Sequence, residues 1–220
     1  MVRGVRAIPR SWVSPAAVST DTPRVKFQAL DAAKLTAISA DLVAGKITRD
    51  EARAAVIDVI IHRTHCSRVS LWRFDLHAGG LALLCFAAKT AGGELCTDES
   101  RLEQAEFGDY FDILATQGVY ASSDAMNDPH LQPMREHYLL RYGVLSMLDA
   151  AFLVNGRVYG VVCCEQTDAV RVWRPKEITD LRANVAKLAM LLAAANDPIL
   201  WGLPSLPMAP LRPEPDQRRR

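Results

Sequence analysis

Asp149 is the residue whose neighbours explain it least. It stands in the run Ser146-Met147-Leu148-Asp149-Ala150-Ala151-Phe152. A carboxylate among such residues must be paired or must keep its proton, because burial disfavours charge. Two readings stay open for it. One is a structural acid bonded to backbone N–H groups or an arginine. The other is an acid that faces a small ligand. A second acid, Glu165, closes the apolar run Val161-Val162-Cys163-Cys164.

The five cysteines, Cys66, Cys85, Cys96, Cys163 and Cys164, are odd in number and irregular in spacing. That argues against a disulfide scaffold and for a reduced, cytoplasmic protein. Cys163 and Cys164 are adjacent on a strand, so they point to opposite faces and do not readily pair with each other. His62, His65 and Cys66 form an H-x-x-H-C cluster at a helix end. Zinc there lacks a fourth protein ligand, and histidine also suits a helix C-terminus without any metal. Asp128 before Pro129 reads as a helix N-cap, and Asp124 as a turn former. Two carboxylates are few for a cation site. The chain has no G-x-S-x-G, no G-x-x-x-x-G-K-[ST] and no G-x-G-x-x-G. No catalytic residue, metal or cofactor is assigned.

The elements that must position these groups follow from period and punctuation. Phe27 to Ala44 reads as a helix with Leu35, Ile38 and Leu42 on one stripe and Gly45 at its C-terminal cap. Thr48 to Glu51 has capping-box spacing and opens a helix with Ala52, Ala55, Val56, Val59 and Ile60 on one face. Strands are expected at Arg68 to Asp75 and Leu81 to Ala88, with a short one near Glu94 to Cys96. A helix spans Phe107 to Gln117, stopped by Gly118, and a brief strand spans Val119 to Ser122. A further helix runs from Asp128-Pro129 to about Tyr142. Two strands then flank Asn155-Gly156, a dipeptide suited to a type I′ turn. A last helix covers Pro175 to Ala195. Counting back from a two-residue turn, Leu148 opposes Cys163 and Ser146 opposes Glu165. That count puts Ser146, Leu148, Ala150, Val161, Cys163 and Glu165 on one face, with Met147, Asp149, Ala151, Val162 and Cys164 on the other.

The chain from about Asp50 to Ala195 resembles a bacterial GAF sensor domain. The resemblance rests on Asp124-Ala125, Asp128-Pro129, Tyr138-Leu139, Gly143, Ser146-Met147-Leu148-Asp149, Gly156, Gly160-Val161, Cys163, Glu165 and Trp173. Ala151 and Gln166 stand where that pattern has Pro and His. The resemblance implies an α+β fold: an antiparallel sheet of five to six strands, with terminal helices on one face and short helices on the other. It implies that the first and last strands are neighbours, so that Arg68 and Glu165 pair, a contact worth little if exposed. It also implies a sensing pocket on one sheet face, under the two short helices. The candidate ligand-binding residues are Tyr110, Asp124, His137, Tyr138, Ser146, Asp149, Cys163 and Glu165. Tyr110, Tyr138 and His137 combine an apolar body with a polar tip, as ligand cavities require. The chain lacks the Cys-His dipeptide that attaches bilins and the N-K-x-F-D-E signature of cyclic-nucleotide GAF domains. Cys85 and Cys96 superficially echo a methionine sulfoxide reductase built on this fold, which leaves an enzyme as the alternative. A structural dimerisation module with a filled interior is the third reading.

Across 220 residues the formal net charge is +1, which gives no electrostatic argument for nucleic acid or membrane. No apolar run reaches the ~18 residues that span a bilayer. Residues 1–23 and 198–220 are expected to be disordered arms around one domain at 24–197. On the last helix, Ile178, Leu181, Val185, Leu188 and Leu192 form one apolar stripe, and Ala183, Ala186, Met190 and Ala194 a second. Two stripes suggest a homodimer through this helix and the one carrying Val56 and Ile60. The expected partners are thus an unidentified small ligand, a second copy and an output signalling protein.

Overall fold

The computed structural model describes residues 27–77, 80–97, 100–154 and 157–194. The expected arms, the turn residues Ala78-Gly79 and Asn155-Gly156, and the side chains of Met190 and Leu192 lie outside the described residues.

One six-stranded sheet organises everything else. Its order is β3-β2-β1-β6-β5-β4, and all of its pairs are antiparallel. The strands are β1 (Arg68–His77), β2 (Gly80–Thr90), β3 (Arg101–Glu103), β4 (Val119–Ser122), β5 (Ser146–Val154) and β6 (Arg157–Gln166). Helices α1 (Ala32–Val43), α2 (Arg49–Thr64) and α5 (Pro175–Ala194) cover one face. Helix α3 (Gly108–Gln117) and the segment 129–142 cover the other. This is the α+β arrangement expected from the sequence.

Several ends are set by local chemistry. Thr48 Oγ1 accepts from the Glu51 amide, and the Glu51 carboxylate accepts from the Thr48 amide, completing the capping box of α2. Helix α1 begins five residues later than expected, because Asp31 caps it by accepting from the Lys34 amide. Phe27 and Leu30, ahead of that cap, are buried instead, and Asn184 of α5 accepts from the Leu30 amide. Segment 129–142 is not one helix. It is a 3-10 turn (Pro129–Met134), a π turn (Arg135–Leu139) and a single turn α4 (Leu140–Tyr142). Pro133 sits inside the first turn and has no amide to give an α-helical ladder.

The third strand differs from expectation. Cys96 makes only an isolated bridge to Ala88, and β3 is formed by residues 101–103. The hairpin register differs too, and this relocates chemistry. Val154 does face Arg157, but Phe152 pairs with Gly160, so Tyr159 is an extra residue in β6. Such a bulge shifts every later pair by one. Leu148 therefore opposes Cys164, Ser146 opposes Gln166, and Asp149 opposes Cys163. Val161, Cys163 and Glu165 lie on the face of Met147, Asp149 and Ala151, not on that of Ser146 and Leu148.

Gly160 shows how closely the central strands approach at that bulge. A Cβ there would stand 2.1 Å from the Trp72 carbonyl oxygen and 2.8 Å from the Phe152 ring. The carbonyl is backbone and cannot swing away. Gly160→Ala is expected to cost about 2–3 kcal/mol of stability through overpacking. Urea unfolding checks it, and an unchanged midpoint would contradict the close approach.

Behind the sheet, Arg171 ties three terminal elements together. Its guanidinium lies 5.0 Å from the Phe27 ring centre and 4.7 Å from that of Trp173. It donates to the Thr64 and His65 carbonyls at the end of α2 and to Glu177 in the first turn of α5. A cation at a helix C-terminus meets the negative end of its dipole.

Candidate functional site

Register alone assembles the site. One row of paired residues crosses four strands: Tyr120 of β4, Asp149 of β5, Cys163 of β6 and Ser70 of β1. The next row holds Met147, Glu165 and Arg68. Both rows face α3 and segment 129–142, which contribute Tyr110 and Tyr138 from above.

In the second row Arg68 and Glu165 form a buried ion pair. They are on β1 and β6, the two central strands, so the pairing expected from strand order is present and is buried rather than exposed and weak. Arg68 Nη1 also donates to the Tyr138 hydroxyl at 2.7 Å. The Tyr138 hydroxyl and Ser70 Oγ both donate to Glu165 Oε1. Trp72 Nε1 donates to Ser70 Oγ at 2.9 Å. The guanidinium rests 4.4 Å from the Tyr142 ring centre. Burial works against the Arg68 charge, but Glu165 and Tyr138 more than offset it and raise its pKa. Burial also raises the Tyr138 hydroxyl, and Glu165 adds to the rise. The charges of this pair are therefore met from several sides, which a buried pair requires.

Asp149 is less well met. It is fully buried, and its Oδ2 accepts from the Tyr110 hydroxyl at 2.8 Å. Its Oδ1 has no hydrogen-bond partner, and it is the one such buried side-chain N or O atom among the described residues. Burial pushes the carboxyl up to about 7, against the pull of Tyr110 and Cys163, and Glu165 pushes it further. Burial and the nearby Asp149 raise the Cys163 thiol as well. No Lys, Arg or His is among the groups that set this ionisation.

A family model for the GAF domain matches residues 48–192, most of the chain and all of this face. This chain belongs to the GAF domain family. No curated protein matches it. Among solved structures, it resembles the phycocyanobilin-bound GAF domain of a cyanobacterial phytochrome at 14% identity, with 77% of this chain and 97% of that one covered and a TM-score of 0.55. It resembles the blue-light absorbing form of the Thermosynechococcus elongatus PixJ GAF domain at 17% identity, 68% and 90% coverage and a TM-score of 0.53. It also resembles the GAF domain of a phosphoenolpyruvate-protein phosphotransferase from Coxiella burnetii at 15% identity, 76% and 96% coverage and a TM-score of 0.51. At such identities the likeness is one of fold.

Within this GAF domain, the fold brings together five of the eight residues singled out in the sequence: Tyr110, Tyr138, Asp149, Cys163 and Glu165. The other three lie elsewhere. His137 is exposed, because the π turn that buries Tyr138 and Leu139 turns it outward. Asp124 is exposed and accepts from Asn127 Nδ2, as a turn former does. Ser146 is buried on the opposite face, donating to the Ser123 carbonyl and accepting from the Arg171 amide. Ser70, Trp72 and Tyr142 join the constellation without having been singled out as site residues. Strand alternation from Arg68 points to the first two. Cys96 is exposed and bridges Ala88, whereas Cys85 is buried three residues further back on β2.

Proposed function

We propose that this GAF domain is a sensor module that binds a small molecule between the sheet and the layer formed by α3 and segment 129–142. The observation that carries the reading is the polar set built into that interior. Asp149 with an open oxygen is costly to bury, and a purely structural core has no use for it. The likeness in fold to bilin-bound GAF domains supports the reading without naming the ligand. Signals would leave through α1, α2 and α5, which share the far face of the same strands, toward an output protein. The second reading is a structural module with a filled interior, favoured by the rings of Tyr110, Phe111, Tyr120 and Tyr138 that pack that layer. A cysteine-dependent reductase is a weaker reading, since Cys96 does not face Cys85 in the sheet.

Mass spectrometry of the purified protein under native and denaturing conditions tests the first reading. A bound mass that leaves on denaturation is expected. A bare chain in both states decides for the filled interior.

The proposed homodimer now rests on α5 alone. Val56 and Ile60 of α2 are buried against the chain's own sheet, whereas Ala183 and Ala186 of α5 are exposed. Small exposed residues let two helices approach closely. Ala183→Glu is expected to weaken self-association by about ten-fold or more, since an interface core is poor in charge. Sedimentation equilibrium measures it, and a wild-type chain that stays monomeric at micromolar concentration rules the dimer out. No helix among the described residues is long and apolar enough to cross a membrane.

A further inference from the structure

We propose that the interior site takes a small planar molecule that presents a protonated nitrogen, of the amidine or aromatic amine class, to Asp149 Oδ1. The proposal rests on the ligand-binding reading above and adds the chemical class. Three observations carry it. First, Oδ1 is an acceptor with no partner on an acid that is 0% exposed, while Oδ2 is already held by Tyr110. Second, the other buried acid on this face is satisfied within the chain: Glu165 takes Arg68, Tyr138 and Ser70. Asp149 is thus the group left for an incoming donor. Third, the groups around Asp149 supply rings and acids but no cation. Tyr110 comes from α3, Tyr120 from β4, and Cys163 and Glu165 from β6, while Arg68 is spent on Glu165. A ligand anion would meet the Asp149 carboxyl with no free cation beside it among the described residues, since Arg68 already compensates Glu165. A flat cation meets an acceptor beside the Tyr110 and Tyr120 rings, which themselves pack edge to face with centres 5.1 Å apart.

The affinity of such a ligand should follow the ionisation of Asp149. The carboxyl is pushed up to about 7, so a cation binds better above that pH than below it. Between pH 6 and 8 the ionised fraction rises roughly ten-fold, and affinity should rise with it.

Three isosteric probes separate the possibilities: benzamidine, benzamide and benzoate, each titrated into the full chain at millimolar concentration and followed by amide NMR shifts. Benzamidine is expected to bind at least ten-fold more tightly than benzoate, and about ten-fold more tightly at pH 8 than at pH 6. The Asp149→Asn variant should lose both preferences while its melting curve shows that it is folded. If that variant does not fold, the pH profile of the wild-type chain still decides. Equal binding of benzoate or benzamide overturns the class assignment, as does a preference that survives in the variant or the absence of binding by all three. Native mass spectrometry keeps the two ideas apart. A bound neutral or anionic compound sinks the cationic class and leaves the sensor reading standing. A bare chain sinks the sensor reading itself.

Discussion

Replacing Arg68 with leucine should destabilise this domain by about 3–5 kcal/mol, because it leaves Glu165 charged and buried without its cation. Glu165 is 0% exposed, so its charge is shielded from water. Tyr138 and Ser70 would still donate to it, but two neutral hydroxyls do not replace a guanidinium. The complementary change, Glu165→Leu, should cost a similar amount by stranding Arg68 between the rings of Tyr138 and Tyr142. Removing both together should cost far less than the sum of the two. A double-mutant cycle in urea therefore reads a coupling of several kcal/mol. Tyr138→Phe, which removes one donor to Glu165, should cost less than either, about 1–3 kcal/mol. Single substitutions that each cost under about 1 kcal/mol would put the pair in the class of exposed salt bridges and contradict its burial.

That pair also shows what can be read from the residues in advance and what cannot. The partnership of Arg68 with Glu165 was legible through the resemblance in strand order, but its position in the middle of the sheet was not. Burial depends on Tyr138 and Tyr142 arriving from above, and they arrive through a segment that is locally irregular. Asp128-Pro129 correctly signals a helical start, since Asp128 Oδ1 accepts from the His130 amide. Pro133 then forces the 3-10 and π turns that rotate Tyr138 inward and His137 outward. A uniform 3.6-residue period from Pro129 to Tyr142 cannot reproduce that rotation. The capping box of α2, the stripes of α2 and α5 and the strands of the hairpin were legible because each depends on residues within one or two turns. The bulge at Tyr159 was not, because it answers to the close approach of Gly160 to Trp72 on another strand. One inserted residue was enough to move Cys163 and Glu165 to the face of Asp149. Ser146, Asp124 and His137 stand apart for equally specific reasons: a face, a turn and a helical rotation.

Asp149 should give the domain an unusual pH dependence. The carboxyl is raised in the folded chain from 3.8 to about 7, chiefly by burial. Below about pH 4, folded and unfolded chains both hold the proton, and Asp149 costs nothing. Between about pH 4 and 7 the unfolded chain releases it while the folded chain keeps it, so the folded state binds more protons and stability falls as pH rises. Above about pH 7 both are ionised and the full cost is present, on the order of 4 kcal/mol for a rise from 3.8 to about 7. Other carboxylates titrate over the same range, so the Asp149→Asn variant is the reference that isolates this one. Relative to wild type, the variant should gain stability steadily from pH 4 to pH 8, reduced throughout by the cost of one poorly bonded amide N–H. Thermal unfolding at pH 4, 6 and 8 measures the difference. A constant difference across the three would mean that Asp149 ionises as it does in water and that its open oxygen is matched by the protein. A growing one would mean that the chain retains a destabilising acid on its interior face, which is the cost expected of a group kept to bind a ligand rather than to hold the fold.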